Sequence, residues 1–131
     1  MPKIAIIDDD PDIVEANRIL LESNGFTVVS AGSVDEAIQV VNTEHPDLII
    51  LDVMMQEPDD GFYLANRFRK NGITTPIIML TSVSKAIGFN FGASEMVPID
   101  EFMEKPVPPS LLLEKVKHHL EHAKRSAHAG H

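Results

Sequence analysis

Asp8, Asp9, Asp52, Thr81 and Lys105 are side chains whose types and placement could together handle a phosphoryl group. Asp8 and Asp9 follow the apolar run Ile4-Ala5-Ile6-Ile7, Asp52 follows Leu48-Ile49-Ile50-Leu51, and Thr81 follows Ile77-Ile78-Met79-Leu80. Lys105 closes a shorter segment near the C-terminus. Carboxylates brought close together resist joint ionisation. A hard divalent cation relieves that conflict, and Mg2+ favours an oxygen-rich, partly hydrated setting. A hydroxyl and an ammonium on the rim would add donors for an anionic ligand. Acids, cation, hydroxyl and ammonium in one crevice make a phosphoryl-transfer site.

For these residues to meet, the runs that carry them must lie side by side. Lys3 to Asp8, Phe26 to Val29, Leu48 to Asp52 and Ile77 to Thr81 are continuous rather than alternating apolar runs, the pattern of strands buried on both faces of a parallel sheet. Helical patterns separate them. Asp10 can cap a first helix with Pro11 at its first position, Ile13, Ala16, Leu20 and Leu21 as its apolar stripe, and Gly25 at its close. Ser33 to Glu36 is a capping box for a second helix with Val34, Ala37, Ile38 and Val41 inward. A third starts near Asp60 or Gly61, carries Leu64, Ala65 and Phe68, and stops at Gly72. The last runs from about Ser110 with Leu112, Val116, His119 or Leu120, and Ala123 inward. Such alternation predicts a doubly wound α/β domain, an open parallel sheet with helices on both faces. Ligands bind such sheets beyond the carboxyl ends of the strands, where strand order reverses. Those are the ends that carry the reactive residues.

The 131 residues give room for one domain, expected over residues 1–124, with a flexible tail over 125–131. With no cysteine, thiolate metal sites and disulfides are excluded. The formal charge of −9, from 20 acidic and 11 basic residues, argues against direct contact with nucleic acid or anionic lipid. No apolar run is long enough to span a bilayer, and Met1-Pro2-Lys3 leads straight into a strand, so a cytoplasmic location is expected.

Five segments in register resemble the receiver domain of two-component response regulators. They are Ile6-Ile7-Asp8-Asp9-Asp10-Pro11-Asp12, Pro46 to Met55 around Asp52, Asp60-Gly61, Pro76 to Ser82, and Phe102-Met103-Glu104-Lys105-Pro106. The resemblance covers Lys3 to Leu120 and implies a CheY-like, five-stranded sheet in the order 2-1-3-4-5. It also implies roles. Asp52 would accept the phosphoryl group from a phosphohistidine on a sensor histidine kinase or phosphotransfer protein. Asp8, Asp9 and Asp52 would hold Mg2+ together with the Met54 backbone carbonyl. Thr81 and Lys105 would bind phosphoryl oxygens, and Ser82 matches a position kept small. Thr81 and Phe102 would form the switch, altering a surface read by a downstream protein. The Lys105–Pro106 bond would be cis.

The sequence departs from the family pattern in two places. Gln56 stands where proline is usual, Pro58 follows two positions later, and the family pattern implies one inserted residue before Gly61. The stretch from Ser84 to Phe91 lacks a convincing cap, so a short or irregular fourth helix and a long loop into the last strand are expected. The face from that helix to the last one is where receivers meet partners or dimerise. Plainer roles compete for some residues: Phe102 as ordinary core, Asp10 as a helix cap only, and His118, His119 and His122 as a solvated helical face rather than a metal site. A small phosphatase of the haloacid dehalogenase type, whose motif Asp8-x-Asp10 mimics, would use Asp8 as nucleophile but expects Thr or Val where Asp12 stands, and a pseudo-receiver would keep the fold without phosphorylation.

Overall fold

The computed structural model describes the backbone of residues 1–53, 55, 60–82 and 99–129. The expected runs form β1 (Lys3–Ile7), β2 (Thr27–Ala31), β3 (Leu48–Asp52), β4 (Ile77–Ser82) and β5 (Glu101–Lys105). All neighbours pair in parallel, in the order β2-β1-β3-β4-β5. Between and after them lie α1 (Pro11–Glu22), α2 (Val34–Glu44), α3 (Asp60–Lys70) and α4 (Pro109–Ala129), numbered among the described residues. The segment 84–91, expected to hold a short or irregular helix, lies outside those residues.

Each face of the sheet has its own core because successive strand side chains point to opposite sides. Ala5, Ile7, Ile49 and Leu51 pack with Leu64, Ala65 and Phe68 of α3 and with Ala37 and Val41 of α2. Ile4, Ile6, Leu48 and Ile50 pack with Leu21 of α1 and with Leu112 and Val116 of α4. Strands covered on both faces have no polar side to show, hence the unbroken apolar runs.

The helix ends follow their local chemistry. Asp10 caps α1 by accepting from the Asp12 N–H at 2.9 Å, with Pro11 opening the first turn. Ser33 accepts from the Glu36 N–H at 3.2 Å, closing the expected capping box of α2. Gly72, at φ +81°, takes the left-handed conformation that ends the α3 turn.

One stripe is corrected. Ala16 is exposed, whereas Val14 packs with Leu20 and Leu21 on the core. The face turned to the sheet also includes Arg18, whose guanidinium reaches the Val28 carbonyl at 3.3 Å and the Ser30 hydroxyl at 3.1 Å. The side chain is partly exposed and finds its acceptors on β2, the edge strand. At the other end of the chain, α4 continues as helix through Ala129, past the Lys124 boundary expected from the sequence.

Candidate functional site

The topology alone brings β1 and β3 together, because the chain crosses from β2 over β1 to place β3 on its other side. Ile7 pairs with Leu51, so Asp8 and Asp52 leave adjacent strands side by side. Asp8 is fixed further by its N–H donating to the Ala31 carbonyl at 3.0 Å, and its Oδ1 accepts from the Asp10 N–H at 3.0 Å. Both acids are buried, at 4% and 7% exposure, whereas Asp9 faces solvent. One carboxylate oxygen from each of Asp8, Asp9 and Asp52 lies within 4.8 Å of the others.

Lys105, at the end of β5, reaches back across β4 to this group. Its Nζ lies 3.3 Å from Asp8 Oδ2 and 3.2 Å from Asp52 Oδ1. Burial pulls the Lys105 ammonium down, but the charges and hydrogen bonds of Asp52 and Asp8 together outweigh it and hold its pKa above the ordinary lysine value. The lysine is therefore a cation throughout the neutral range. Thr81 is buried at 5% exposure on β4, one position beyond Leu80, the register partner of Asp52. It lies in the strand between those that carry Asp52 and Lys105.

The local backbone around Asp52 is held by α3. The Val53 carbonyl accepts from the Gly61 N–H at 2.8 Å, while the Val53 N–H donates to Leu80 at 2.9 Å. A Cβ at Gly61 would lie 2.6 Å from Val53 Cα and would also overlap the Asp52 carbonyl oxygen. Glycine at 61 lets the first turn of α3 rest directly on the strand end that carries Asp52.

Phe102 is partly buried on β5 and packs with the core beneath α3. Its ring centroid lies 6.2 Å from that of Phe62, with the planes tilted by 59°. The Lys105–Pro106 peptide is cis. Of the site residues drawn from the sequence, Asp8, Asp9, Asp52 and Lys105 converge, Thr81 follows the register partner of Asp52 on β4, and Phe102 lies three positions before Lys105 on β5, in register with Met79. Met54 lies outside the described residues. The side chain of Asp10 caps α1.

Sequence reasoning missed three contacts. The contact of Phe62 with Phe102 and the steric role of Gly61 depend on how α3 docks, which no local pattern encodes. Glu101 accepts from His119 at 2.6 Å and from Lys115 at 3.0 Å, tying β5 to α4. The i, i+4 spacing of Lys115 and His119 is visible in the sequence, but their common partner is not.

A parallel sheet with this strand order, an acidic group at its switch point and a lysine across it define the class. The family model for the response regulator receiver domain matches residues 4–117. The chain is 35% identical over 119 residues to the alkaline phosphatase synthesis transcriptional regulatory protein PhoP of Bacillus subtilis, covering 88% of this chain and 47% of that protein. It thus spans about half the length of that relative. An uncharacterized 14.6 kDa protein of Leptolyngbya boryana is 34% identical over 116 residues, covering 87% of this chain and 86% of that one. Among solved structures, a CheY-like response regulator receiver domain protein from Methanospirillum hungatei superposes with a TM-score of 0.83 at 26% identity, covering 96% of this chain and 98% of that one. The chain belongs to the response regulator receiver family and is a receiver domain of two-component signalling.

Proposed function

We propose that Asp52 is the phosphoacceptor. A carboxylate oxygen of Asp52 attacks the phosphorus of a phosphohistidine on a sensor kinase or phosphotransfer protein. The P–N bond breaks, its electron pair stays on the imidazole, and an acyl phosphate forms. Attack of water on phosphorus later releases inorganic phosphate and restores the carboxylate. A carboxylate is a weak nucleophile, but a loose phosphoryl transition state asks little bond-making of it, and positioning with charge neutralisation supplies most of the acceleration.

The observation that carries this reading is the convergence of three carboxylates with a lysine that touches both buried acids. The donor set is all oxygen and anionic, which suits Mg2+. Asp8, Asp9, Asp52 and the Met54 carbonyl would hold the ion, which when bound neutralises charge on the phosphoryl oxygens. Lys105 and Thr81 bind phosphoryl oxygens from the β5 and β4 side, and the Thr81–Phe102 pair carries the change to the surface. A domain over residues 1–124 working in the cytoplasm fits this role. The net charge of −9 disfavours nucleic-acid contact by this domain itself and favours protein contacts, with a downstream protein or a second copy on the face that ends at the last helix. No helix among the described residues is long and apolar enough to cross a membrane.

Incubation with acetyl phosphate and Mg2+ followed by intact-mass measurement tests the proposal. The parent chain should gain one phosphoryl group, and Asp52→Ala should gain none while still folding. Mg2+ alone should shift the amide resonances of Asp8, Asp9 and Val53, a readout that needs no turnover. An Asp52→Ala chain modified as fully as the parent would refute the assignment.

A further inference from the structure

Two physical routes leave Asp52 and come together at one aromatic contact. The first runs through backbone: the Val53 carbonyl holds the Gly61 N–H, and Gly61 lies so close to the strand that α3 has no clearance there. Phe62 is the next residue of α3. The second route runs through charge: Asp52 Oδ1 holds Lys105 Nζ at 3.2 Å, and Lys105 shares β5 with Phe102. The rings of Phe62 and Phe102 then meet at 6.2 Å, tilted by 59°. Asp52, α3, the ring pair, β5 and Lys105 form a closed circuit.

We propose that Phe62 is a positioning residue for Phe102, and that this ring contact couples the state of Asp52 to the exposure of β5. The inference rests on Asp52 being the phosphoacceptor. New charge and bulk on Asp52 act on both routes at once. They draw on Lys105 and hence on the end of β5, and they press on the first turn of α3, which cannot absorb the push at Gly61. The relative position of α3 and β5 must then change, and the ring pair spans that joint. Both rings are partly buried and pack against the core from its edge. Tilted aromatic pairs are favourable beyond the area they bury, enough to bias a two-state equilibrium by about 2- to 10-fold. A bias of that size suits a switch: it sets the resting position of Phe102 without locking it.

The test uses the full chain with 13C-labelled phenylalanine, observing the Phe102 ring resonance, assigned by its loss in Phe102→Leu, before and after beryllium fluoride with Mg2+. Phe62→Tyr keeps the ring and should respond as the parent does. Phe62→Leu should still gain one phosphoryl group from acetyl phosphate, at a rate within about 3-fold of the parent. Its Phe102 resonance should already be displaced in the resting state and should move less than half as far on adding beryllium fluoride. If Phe62→Leu does not melt cooperatively, Phe62→Met carries the same comparison. A Phe102 response in Phe62→Leu equal to the parent's overturns the inference while leaving the phosphoacceptor reading intact. A parent chain that gains no mass from acetyl phosphate overturns both.

Discussion

Single residues decide the chemistry here, and the most informative of them is Lys105. It is the cation that the described structure places against both buried acids, at 3.3 and 3.2 Å. Removing it leaves two buried carboxylates without that charge, and one-sided deletion of a buried pair costs about 3–5 kcal/mol. Lys105→Met should therefore lower the stability of the metal-free chain by up to that amount, with Mg2+ recovering part of the loss. Urea midpoints with and without Mg2+ measure both. Gly61 shows sterics acting at the same scale. Gly61→Ala drives a methyl group into the backbone of Asp52 and Val53, and overpacking of this kind costs about 1–3 kcal/mol. It should also slow acetyl phosphate turnover at Asp52, because the strand end must shift, and a Gly61→Ala chain matching the parent in both respects would exclude the close approach. The convergence of Asp8 and Asp52 beside Thr81 was legible in the sequence because each ends a buried apolar run, whereas Lys105 closes the mixed segment Glu101–Lys105 and was placed by its resemblance to the family pattern. The ring pair and the Gly61 contact were not legible, since both depend on the angle at which α3 docks.

At the scale of elements, the β5–α4 joint is the one that titrates. Burial alone would push the Glu101 carboxyl up, but hydrogen bonds from His119 and Lys115, with their charges, hold it below the usual carboxylate range. A carboxylate whose folded pKa is depressed adds stability above its unfolded pKa, and that stability is lost as pH falls through the folded value. Glu101→Gln should thus be less stable than the parent at pH 7, by about 1 kcal/mol given partly exposed partners. The gap should close as the pH is lowered below the carboxylate range, which urea denaturation at a series of pH values would show. A gap that widened in acid would contradict the assignment. Helix α1 illustrates what pattern reading misses. Ile13 and Val14 are adjacent and both apolar, so composition does not choose between two stripes. In the structure Val14 packs on the core, and Arg18 ties the helix to β2 through the Val28 carbonyl and the Ser30 hydroxyl. The boundaries of α2 and α3 were readable because a capping box and a positive-φ glycine mark them.

For the whole molecule, the two cores share one sheet, so neither face can unfold while the other persists. Phe68 is fully buried beneath α3. Phe68→Ala should cost about 3–5 kcal/mol. Circular dichroism and the aromatic resonances of Phe26, which packs on the opposite core, should report the same shifted midpoint. Separate transitions for the two probes would show that the faces are independent. The doubly wound topology was legible from alternating elements, because right-handed crossovers leave few arrangements open to a chain of this order.

The central claim is that the phosphoryl group resides on one particular carboxylate. Borohydride reduction of the phosphorylated chain, followed by peptide mass mapping, reads that directly, because an aspartyl phosphate is reduced to homoserine. The account predicts homoserine at position 52 and at no other acid. Homoserine at position 8 or 9, with Asp52 unchanged, would contradict it.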